Sequence, residues 1–263
     1  HVKTKNLNNI LNNKKTSLTI KSISAFHVVK LHSLFIKKDF RIISIFFKIF
    51  KKVFSIIFLL HNFFEVKSKN KLLKKKVIII SHLINFRHLN SKEDFYYGNF
   101  EKILKNMKKS YYKIMINHTK LSSRYLNLKN NKKNIIILDK NLRIKTEFKI
   151  LFNKLISVFQ LILLLINKKL DFKTFLALIT SLFDSSTTSS LRIYSQIRDY
   201  VKKINPDYCI LTYEGYSWER MCIKAMKSIN PNIQCIGYQH TPVTRYHKAK
   251  FKLMVGDFNP DKI

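Results

Sequence analysis

The sequence predicts an α/β protein with a doubly wound, mostly parallel, Rossmann-like sheet. From Lys74 onwards, five short apolar runs alternate with stretches of helical periodicity. Continuous apolar runs are typical of strands buried on both faces, and strand–helix–strand connections of this length form right-handed parallel units. The predicted strands are Val77–Ser81, Tyr111–Asn117, Asn134–Asp139, Tyr208–Tyr213 and Ile233–Tyr238.

The segment from Asn205 to His240 contains the clearest strand–helix–strand unit. Pro206 disfavours a helical conformation at the residue before it, so the preceding helix ends there. A helix is then predicted over Ser217–Ile229, because its apolar side chains recur along one stripe. That stripe consists of Trp218, Met221, Cys222, Ala225, Met226 and Ile229.

Helices are also predicted between the earlier strands. One covers Asn99–Lys109, and a long helical region extends from about Glu147 to Lys203. The polar run Asp184–Ser190 interrupts this region and is predicted to be a loop that caps a helix over Leu191–Lys203. The apolar stretch Leu155–Ile166 is shorter than a bilayer span. It is interpreted as a buried crossover helix, with a shallow membrane-contacting helix as the second interpretation.

Residues 1–70 are predicted to form a basic, mainly helical and partly disordered segment before a Rossmann-like domain over residues 71–263. Three lysines interrupt the apolar stretch Phe40–Leu60, so it does not qualify as a spanning helix. It is interpreted as a basic helix on an anionic membrane surface, or as a helix with one buried face. The chain starts at His1 and ends at Ile263 within what resembles a new element, and we interpret it as a fragment.

The net charge of +35 indicates anionic partners. The 50 Lys and Arg residues against 15 Asp and Glu favour nucleic acid or an anionic membrane surface. Only eight of the 50 are arginines, which bind phosphates in a bidentate manner, and no aromatic–arginine recognition motif is present. Nucleic acid is therefore the less favoured partner. A/T-rich codon usage is the interpretation for most of the charge, because Asn, Ile and Phe are abundant together with Lys, and a preference for anionic partners is the interpretation for the remainder.

The cysteine, glycine and histidine content argues against a disulfide framework, a glycine-rich phosphate loop and a metal site. The odd set of Cys209, Cys222 and Cys235 is interpreted as buried, reduced thiols of a cytoplasmic protein. With four glycines in all, the sequence contains neither of the glycine-rich phosphate-loop motifs. Its histidines and cysteines show no ligand spacing, so no bound metal is predicted.

Polar residues that directly follow strands supply the candidate site. Glu214 follows the fourth strand, where Gly215 permits a tight turn, and His240 follows the fifth. With the strand order 3-2-1-4-5, Ser81 and His82 face Glu214 across the crevice where such sheets bind ligands. Glu214 is the predicted general base, and His240 is a second acid–base group or a donor to phosphate. The predicted substrate-binding residues are Ser81, His82, Tyr213, Gly215, Arg220 and Gln239.

These residues also have structural interpretations. Glu214 could accept hydrogen bonds from loop and helix-end amides, and His240 could be a structural loop histidine. The helix dipole alone explains an acid at Glu219, in the first turn. Arg220 could hold Glu214, bind an anion or lie on a solvated helix face. Trp218 occupies a core position of the apolar stripe and is expected to pack there.

Two motifs of the last predicted unit resemble a known family. Tyr213-Glu214-Gly215 is followed by Trp218-Glu219-Arg220, and Gly237-Tyr238-Gln239-His240 ends the fifth strand. Together they resemble the "YEG-x-x-WER … GYQH" pattern of bacterial surface-carbohydrate biosynthesis proteins. These are glycosyltransferase-like proteins of the two-domain GT-B type, linked to O-antigen and capsule assembly. Ser217 stands where that family often has a proline.

Weaker similarities lie outside these motifs. Tyr96-Tyr97-Gly98 resembles the family's early "Y-W-G" element, with Tyr97 in the place of tryptophan. The segment Asn259–Ile263 resembles the lead into the second domain of the family. The clear part of the resemblance covers about a fifth of the chain.

The resemblance implies that this chain is the acceptor-binding, N-terminal portion of a GT-B glycosyltransferase. A nucleotide-sugar would then bind a C-terminal domain missing from the chain, and this portion alone is expected to hold no cofactor and to be inactive. Glu214 and His240 match the Glu and the His of the motifs. The expected reaction transfers a sugar to a lipid-linked or saccharide acceptor. The expected location is cytoplasmic, at the periphery of the inner face of the plasma membrane.

Two alternatives stay open at this point. A GT-B-like nucleotide-sugar epimerase or phosphotransferase has the same architecture, and an epimerase needs no acceptor. A non-enzymatic, basic membrane-surface protein would account for the charge. It predicts salt-dependent binding to anionic vesicles or DNA that survives the loss of Glu214 and His240.

Overall fold

The computed structural model of the protein describes residues 17–22, 76–91, 93–130, 132, 134–240, 254 and 256–263. Most of the predicted N-terminal segment, including the stretch Phe40–Leu60, lies outside the described residues. Within residues 1–70, the described part is Ser17 and the short helix α1, Leu18–Ser22.

Five parallel strands form one sheet in the order β3-β2-β1-β4-β5. This confirms the predicted α/β fold with a doubly wound parallel sheet and its first strand at the centre. The chain winds outward from β1 in both directions, so a crevice opens at the carboxyl ends of β1 and β4. The strands are β1 (Val77–Leu83), β2 (Tyr111–Asn117), β3 (Ile135–Ile137), β4 (Tyr208–Thr212) and β5 (Gln234–Tyr238).

Helices connect all consecutive strands, and the sequence predicted them in every connection except the one between β2 and β3. A 3-10 turn, Phe86–Leu89, follows β1. The remaining described helices are α2 (Phe100–Asn106), α3 (Ser123–Lys129), α4 (Ile144–Ile166), α5 (Phe172–Leu182), α6 (Ser185–Ile204) and α7 (Ser217–Lys227).

The prediction of a loop over Asp184–Ser190 was wrong, because α6 begins at Ser185. Asp184 occupies the N-cap position, and the run after it is helical. The hydroxyl of Thr188 donates to the carbonyl of Asp184 (3.1 Å), and that of Ser190 donates to the carbonyl of Ser186 (2.9 Å). Hydroxyls that bond to the preceding turn are satisfied within a helix, so a serine- and threonine-rich run does not have to form a loop.

The core lies mainly between the sheet and the pair of helices α6 and α7. Side chains of alternating β1 residues point to opposite faces of the sheet. Ile78 and Ile80 pack with α6 and α7, whereas Val77 and Ile79 pack with Leu104 of α2. The three cysteines are free and buried, as predicted.

Helix α4 is the predicted crossover helix, but only one of its faces is buried. Ile150, Lys154, Ser157 and Leu161 point into the protein. By length and composition, α4 is also the one helix among the described residues that could cross a membrane.

Candidate active site

The predicted site residues lie at the carboxyl edge of the sheet, where four strands end. His82 is the sixth residue of β1, and His118 directly follows β2. Glu214 lies two residues beyond β4, and His240 lies two residues beyond β5. The parallel arrangement therefore brings side chains from four separate parts of the chain to one edge.

Glu214 and His240 lie side by side. Oε1 of Glu214 is 3.7 Å from Nε2 of His240, and these side chains are 10% and 27% exposed. The ring of Tyr96 meets the imidazole of His240 edge to face, with 4.8 Å between ring centroids. The predicted catalytic pair is thus brought together, in a partly buried position that solvent still reaches.

His82 lies at the centre of a group of rings. Its Nδ1 is 2.8 Å from Nε2 of His118, and its Nε2 is 3.5 Å from the hydroxyl of Thr212. The ring centroids of Trp218 and Tyr96 are 4.8 and 5.1 Å from that of His82. Trp218 also packs against the main core, as predicted, so it links that core to the site.

Burial keeps the His82 imidazole neutral at pH 7. Burial, with smaller contributions from His118 and His240, lowers the pKa of His82 to about 4, although Asp94 opposes the change. Burial and the charge of Lys140 also lower the pKa of His118. Two adjacent neutral imidazoles can share one hydrogen bond and leave further ring nitrogens as donor and acceptor.

Glu219 supports the loop that carries Glu214. It is almost completely buried, and its Oε2 accepts hydrogen bonds from the backbone N–H groups of Glu214 (2.9 Å) and Tyr216 (2.8 Å). Gly215, between them, has φ = +83°, a conformation that favours glycine and confirms the predicted tight turn. Burial outweighs the backbone hydrogen bonds and raises the pKa of Glu219 to about 8.

The expectation that Arg220 could lie on a solvated helix face was wrong. Arg220 is 3% exposed and Glu219 is 1% exposed, so the first turn of α7 buries both charged side chains. Burial lowers the pKa of the Arg220 guanidinium, and the nearby Tyr213 and Glu219 oppose that change. Glu219 and Arg220 are therefore buried beneath the loop that carries Glu214.

Of the six predicted substrate-binding residues, Ser81 and Tyr213 are fully buried, whereas Gln239 is half-buried. The hydroxyl of Ser81 donates to Oδ2 of Asp94 (2.8 Å), whereas the Tyr213 side chain belongs to the main core. A Cβ at Gly237 would lie 2.7 Å from Cβ of Tyr213, so β5 can approach only because it has glycine there. Direct substrate contact by these residues stays a prediction.

A buried ionic network underlies the loop with Tyr96. Nζ of Lys113 lies 2.7 Å from both Oδ2 of Asp94 and Oε1 of Glu101. Oδ1 of Asp94 accepts hydrogen bonds from the backbone N–H groups of Tyr96 (2.8 Å) and Tyr97 (3.1 Å). The network therefore fixes the loop that places the Tyr96 ring against His82 and His240.

The sequence reasoning missed His118, Asp94 and Lys113. A signal existed for Lys113, because a lysine within an otherwise apolar strand buried on both faces needs an acidic partner. A signal existed for His118 too, since it directly follows a strand, as the recognised site residues do. Asp94 had no such signal, because it lies in the loop between β1 and α2 and is placed only by the fold.

No metal centre is visible among the described residues. Within that part of the chain, no group of three or more His, Cys, Asp or Glu side chains is placed to hold a metal ion. The prediction that no metal is bound stays a prediction. The arrangement offers a carboxylate, imidazoles and aromatic rings, which suit proton transfer and the binding of a hydroxylated ligand.

Comparison of the chain with models of protein families, with curated proteins and with solved structures found no match.

Proposed function

We propose that this protein takes part in glycosyl transfer for surface polysaccharide (O-antigen or capsule) biosynthesis, and that the described domain binds the acceptor. The observation that carries the proposal is the pair Glu214–His240, which lies 3.7 Å apart at the carboxyl edge of a parallel sheet. The resemblance of the motifs around these residues to the GT-B proteins supports it. The donor nucleotide-sugar binds a further domain in this proposal.

The separation of the pair suits a shared hydroxyl group. A distance of 3.7 Å between Oε1 of Glu214 and Nε2 of His240 is too long for a direct hydrogen bond. One hydroxyl oxygen between them can lie about 2.8 Å from both atoms. It then donates its proton to the carboxylate and accepts a hydrogen bond from the imidazole.

The aromatic rings suit a sugar acceptor. The Tyr96 ring contacts both His240 and His82, and the Trp218 ring contacts His82, so aromatic rings lie beside the polar groups of the site. Aromatic side chains with a polar tip combine an apolar face with hydrogen bonding. A sugar ring has the matching properties, with C–H groups on its faces and hydroxyls around its rim.

In the proposed reaction, the acceptor oxygen attacks the anomeric carbon of the donor. Glu214 takes the proton of the acceptor hydroxyl as the new C–O bond forms, which raises the nucleophilicity of the oxygen. The bond between the anomeric carbon and the diphosphate oxygen breaks, and the diphosphate leaves with the bonding electrons. His240 supports the base or donates to the diphosphate, and lysine and arginine side chains offset its charge.

The test is sugar transfer by Glu214→Gln in the full-length protein. Gln retains the shape of Glu but cannot accept the proton, so we expect transfer to fall by about 100-fold or more. Glu93→Gln, the same chemical change at an exposed loop position, is the control and should retain activity. Transfer by Glu214→Gln within about threefold of the wild type would rule out the base assignment.

The same assay separates the proposal from its rivals. Conversion of the nucleotide-sugar in the absence of any acceptor would indicate an epimerase. A full-length protein that binds anionic vesicles or DNA equally well with Glu214→Gln and His240→Ala, and that transfers no sugar, would be a binding protein.

A further inference from the structure

Helix α4 exposes a large apolar surface although its other side packs on the protein. Its inner face buries Glu147, Lys154 and Ser157 together with Ile150 and Leu161. At its outer face it exposes large apolar side chains, with Phe152 63% and Phe159 68% exposed. The outer face of α4 is defined by Phe148, Phe152, Leu155, Phe159, Leu163 and Ile166.

The outer face is one continuous stripe. Its members are spaced three or four residues apart, which places them on the same side of a helix. From Phe148 to Ile166 the stripe is about 27 Å long, at 1.5 Å per residue. Phe172, at the start of α5, is 58% exposed and adds an apolar side chain beyond the end of α4. Contiguous apolar surface of this kind marks a site of interaction.

Exposed lysines flank the stripe at both ends. They are Lys145, Lys149, Lys168, Lys169 and Lys173. Within the described stretch 141–183, the one exposed acidic residue is Asp171, which accepts a hydrogen bond from the backbone N–H of Thr174. An apolar stripe bordered by lysines is the pattern of a helix that lies in the interface of an anionic bilayer.

We propose that the outer face of α4 docks on the surface of an anionic lipid bilayer, with its apolar side chains among the acyl chains and its flanking lysines at the headgroups. Charge favours this occupant over a second copy of the chain. Two copies that met through this face would bring their lysines close together, whereas anionic headgroups would neutralise them. This inference goes beyond glycosyl transfer and is tested without any donor sugar.

The inner face holds α4 on the protein, so the helix lies on the membrane and does not cross it. Nζ of Lys154 donates to the hydroxyl of Thr188 on α6 (2.6 Å). Nε of Arg192, also on α6, donates to Oε1 of Glu147 (2.6 Å). A spanning α4 would carry Lys154 and Glu147 away from these partners and into lipid, which is costly for ionisable side chains.

The docked surface adjoins the edge of the sheet with the candidate site. Arg192 joins Glu147, in the first turn of α4, to the carbonyl of Lys140 in the loop after β3. Lys140 in turn donates to the carbonyl of Thr119, in the loop after β2. Helix α4 therefore begins at the carboxyl edge, which carries the candidate site.

Vesicle flotation with the full chain tests the proposal. We compare vesicles of phosphatidylcholine alone with vesicles that contain about one-third phosphatidylglycerol. The wild type should bind the anionic vesicles and release them at high salt. Phe152→Ser with Phe159→Ser should lower the partition coefficient by about tenfold, because two apolar anchors are lost. The matched control, Ile103→Ser with Leu128→Ser, removes exposed apolar side chains elsewhere and should bind as the wild type does.

A charge pair of variants tests the flanking lysines. Lys168→Gln with Lys169→Gln should weaken binding to anionic vesicles by about fivefold per lysine at low salt. Lys102→Gln with Lys105→Gln on α2 removes the same charge from another surface and should weaken it far less. Equal losses in the two variants would mean that net charge alone drives binding, and the proposed face would be wrong.

Two further outcomes would overturn the proposal. Retention of the chain in membranes washed with alkaline carbonate would mean that α4 spans the bilayer. A dimer in sedimentation that Phe152→Ser with Phe159→Ser converts to a monomer, without vesicle binding by the wild type, would mean that a second copy covers the face. Circular dichroism should show unchanged folding for all four double variants, since each replaces exposed side chains.

Discussion

Oε2 of Glu219 accepts a hydrogen bond from the backbone N–H of Glu214 at 2.9 Å, so a buried acid holds the backbone of the candidate base. The same oxygen accepts the N–H of Tyr216, which closes the turn around Gly215. Because both hydrogen bonds end on one oxygen, the side-chain carbonyl oxygen of a glutamine can accept both of them in its place.

Glu219→Ala and Glu219→Gln are therefore expected to differ. Alanine leaves two backbone N–H groups without their acceptor, and we expect a loss of about 2–4 kcal/mol in the free energy of unfolding, with loss of sugar transfer. At pH 5, where the carboxyl of Glu219 is protonated in the folded state, glutamine should stay within about 1 kcal/mol of the wild type, and it should keep most of the activity. Urea denaturation and the transfer assay measure the two effects. Equal destabilisation by both variants would contradict the support role of the shared oxygen.

The raised pKa of Glu219 predicts a decline in stability towards alkaline pH. Its carboxyl has a pKa of about 8 in the folded state, against 4.5 as the ordinary value, so folding favours the protonated form. That contribution is complete below pH 4.5 and is lost as the pH rises to 8 and beyond. We expect the wild type to lose about 2–4 kcal/mol relative to Glu219→Gln between pH 5 and pH 8. Parallel curves for the two proteins would contradict this.

The lowered pKa of His82 predicts that the protein loses stability towards acidic pH. Its pKa is about 4 in the folded state, against 6.5 as the ordinary value, so folding favours the neutral imidazole. The contribution of the neutral His82 ring to the free energy of unfolding is therefore complete above pH 6.5 and is lost as the pH falls towards 4. Between pH 7 and pH 5 we expect a loss of about 2 kcal/mol that His82→Gln does not show. An NMR titration of the His82 ring with a midpoint near 6.5 would contradict the assignment.

Lys113 is expected to be essential for folding rather than for chemistry. Burial alone would raise the pKa of Asp94, but the charge and the hydrogen bond of Lys113 outweigh burial and lower the pKa below its ordinary value. The carboxyl therefore stays ionised beside the lysine. Lys113→Met leaves Asp94 as an uncompensated buried charge, and we expect a loss of about 3–5 kcal/mol in the free energy of unfolding. Lys109→Met, at an exposed position, is the control. A double variant with Asp94→Asn should regain part of the loss, since the uncompensated charge is then gone.

The strand order was predictable, whereas the burial of polar residues was not. Five continuous apolar runs with long connections allow few arrangements, so His82, Glu214 and His240 could be placed at one edge before the structure was known. The burial of Glu219 and Arg220 was not predicted, because charged residues are mostly exposed and a solvated helix face was one interpretation of Arg220. Their burial follows from the way the Gly215 turn folds over the first turn of α7, which local periodicity does not encode. The exposure of the outer face of α4 was not predicted either, because an apolar stretch of that length usually packs against a core.

The pairing of β1 with β4 has a consequence for how the protein folds. Val77 pairs with Tyr208, 131 positions later in the chain, whereas β1 and β2 are much closer in sequence. Contacts between distant segments are expected to form late, because the entropy cost of closing a long loop must be met before these contacts contribute stability. The candidate site lies across this junction, with His82 on one side and Glu214 on the other. We therefore expect the site to be assembled late in folding, so that contact between the His82 and Trp218 rings would report a complete domain.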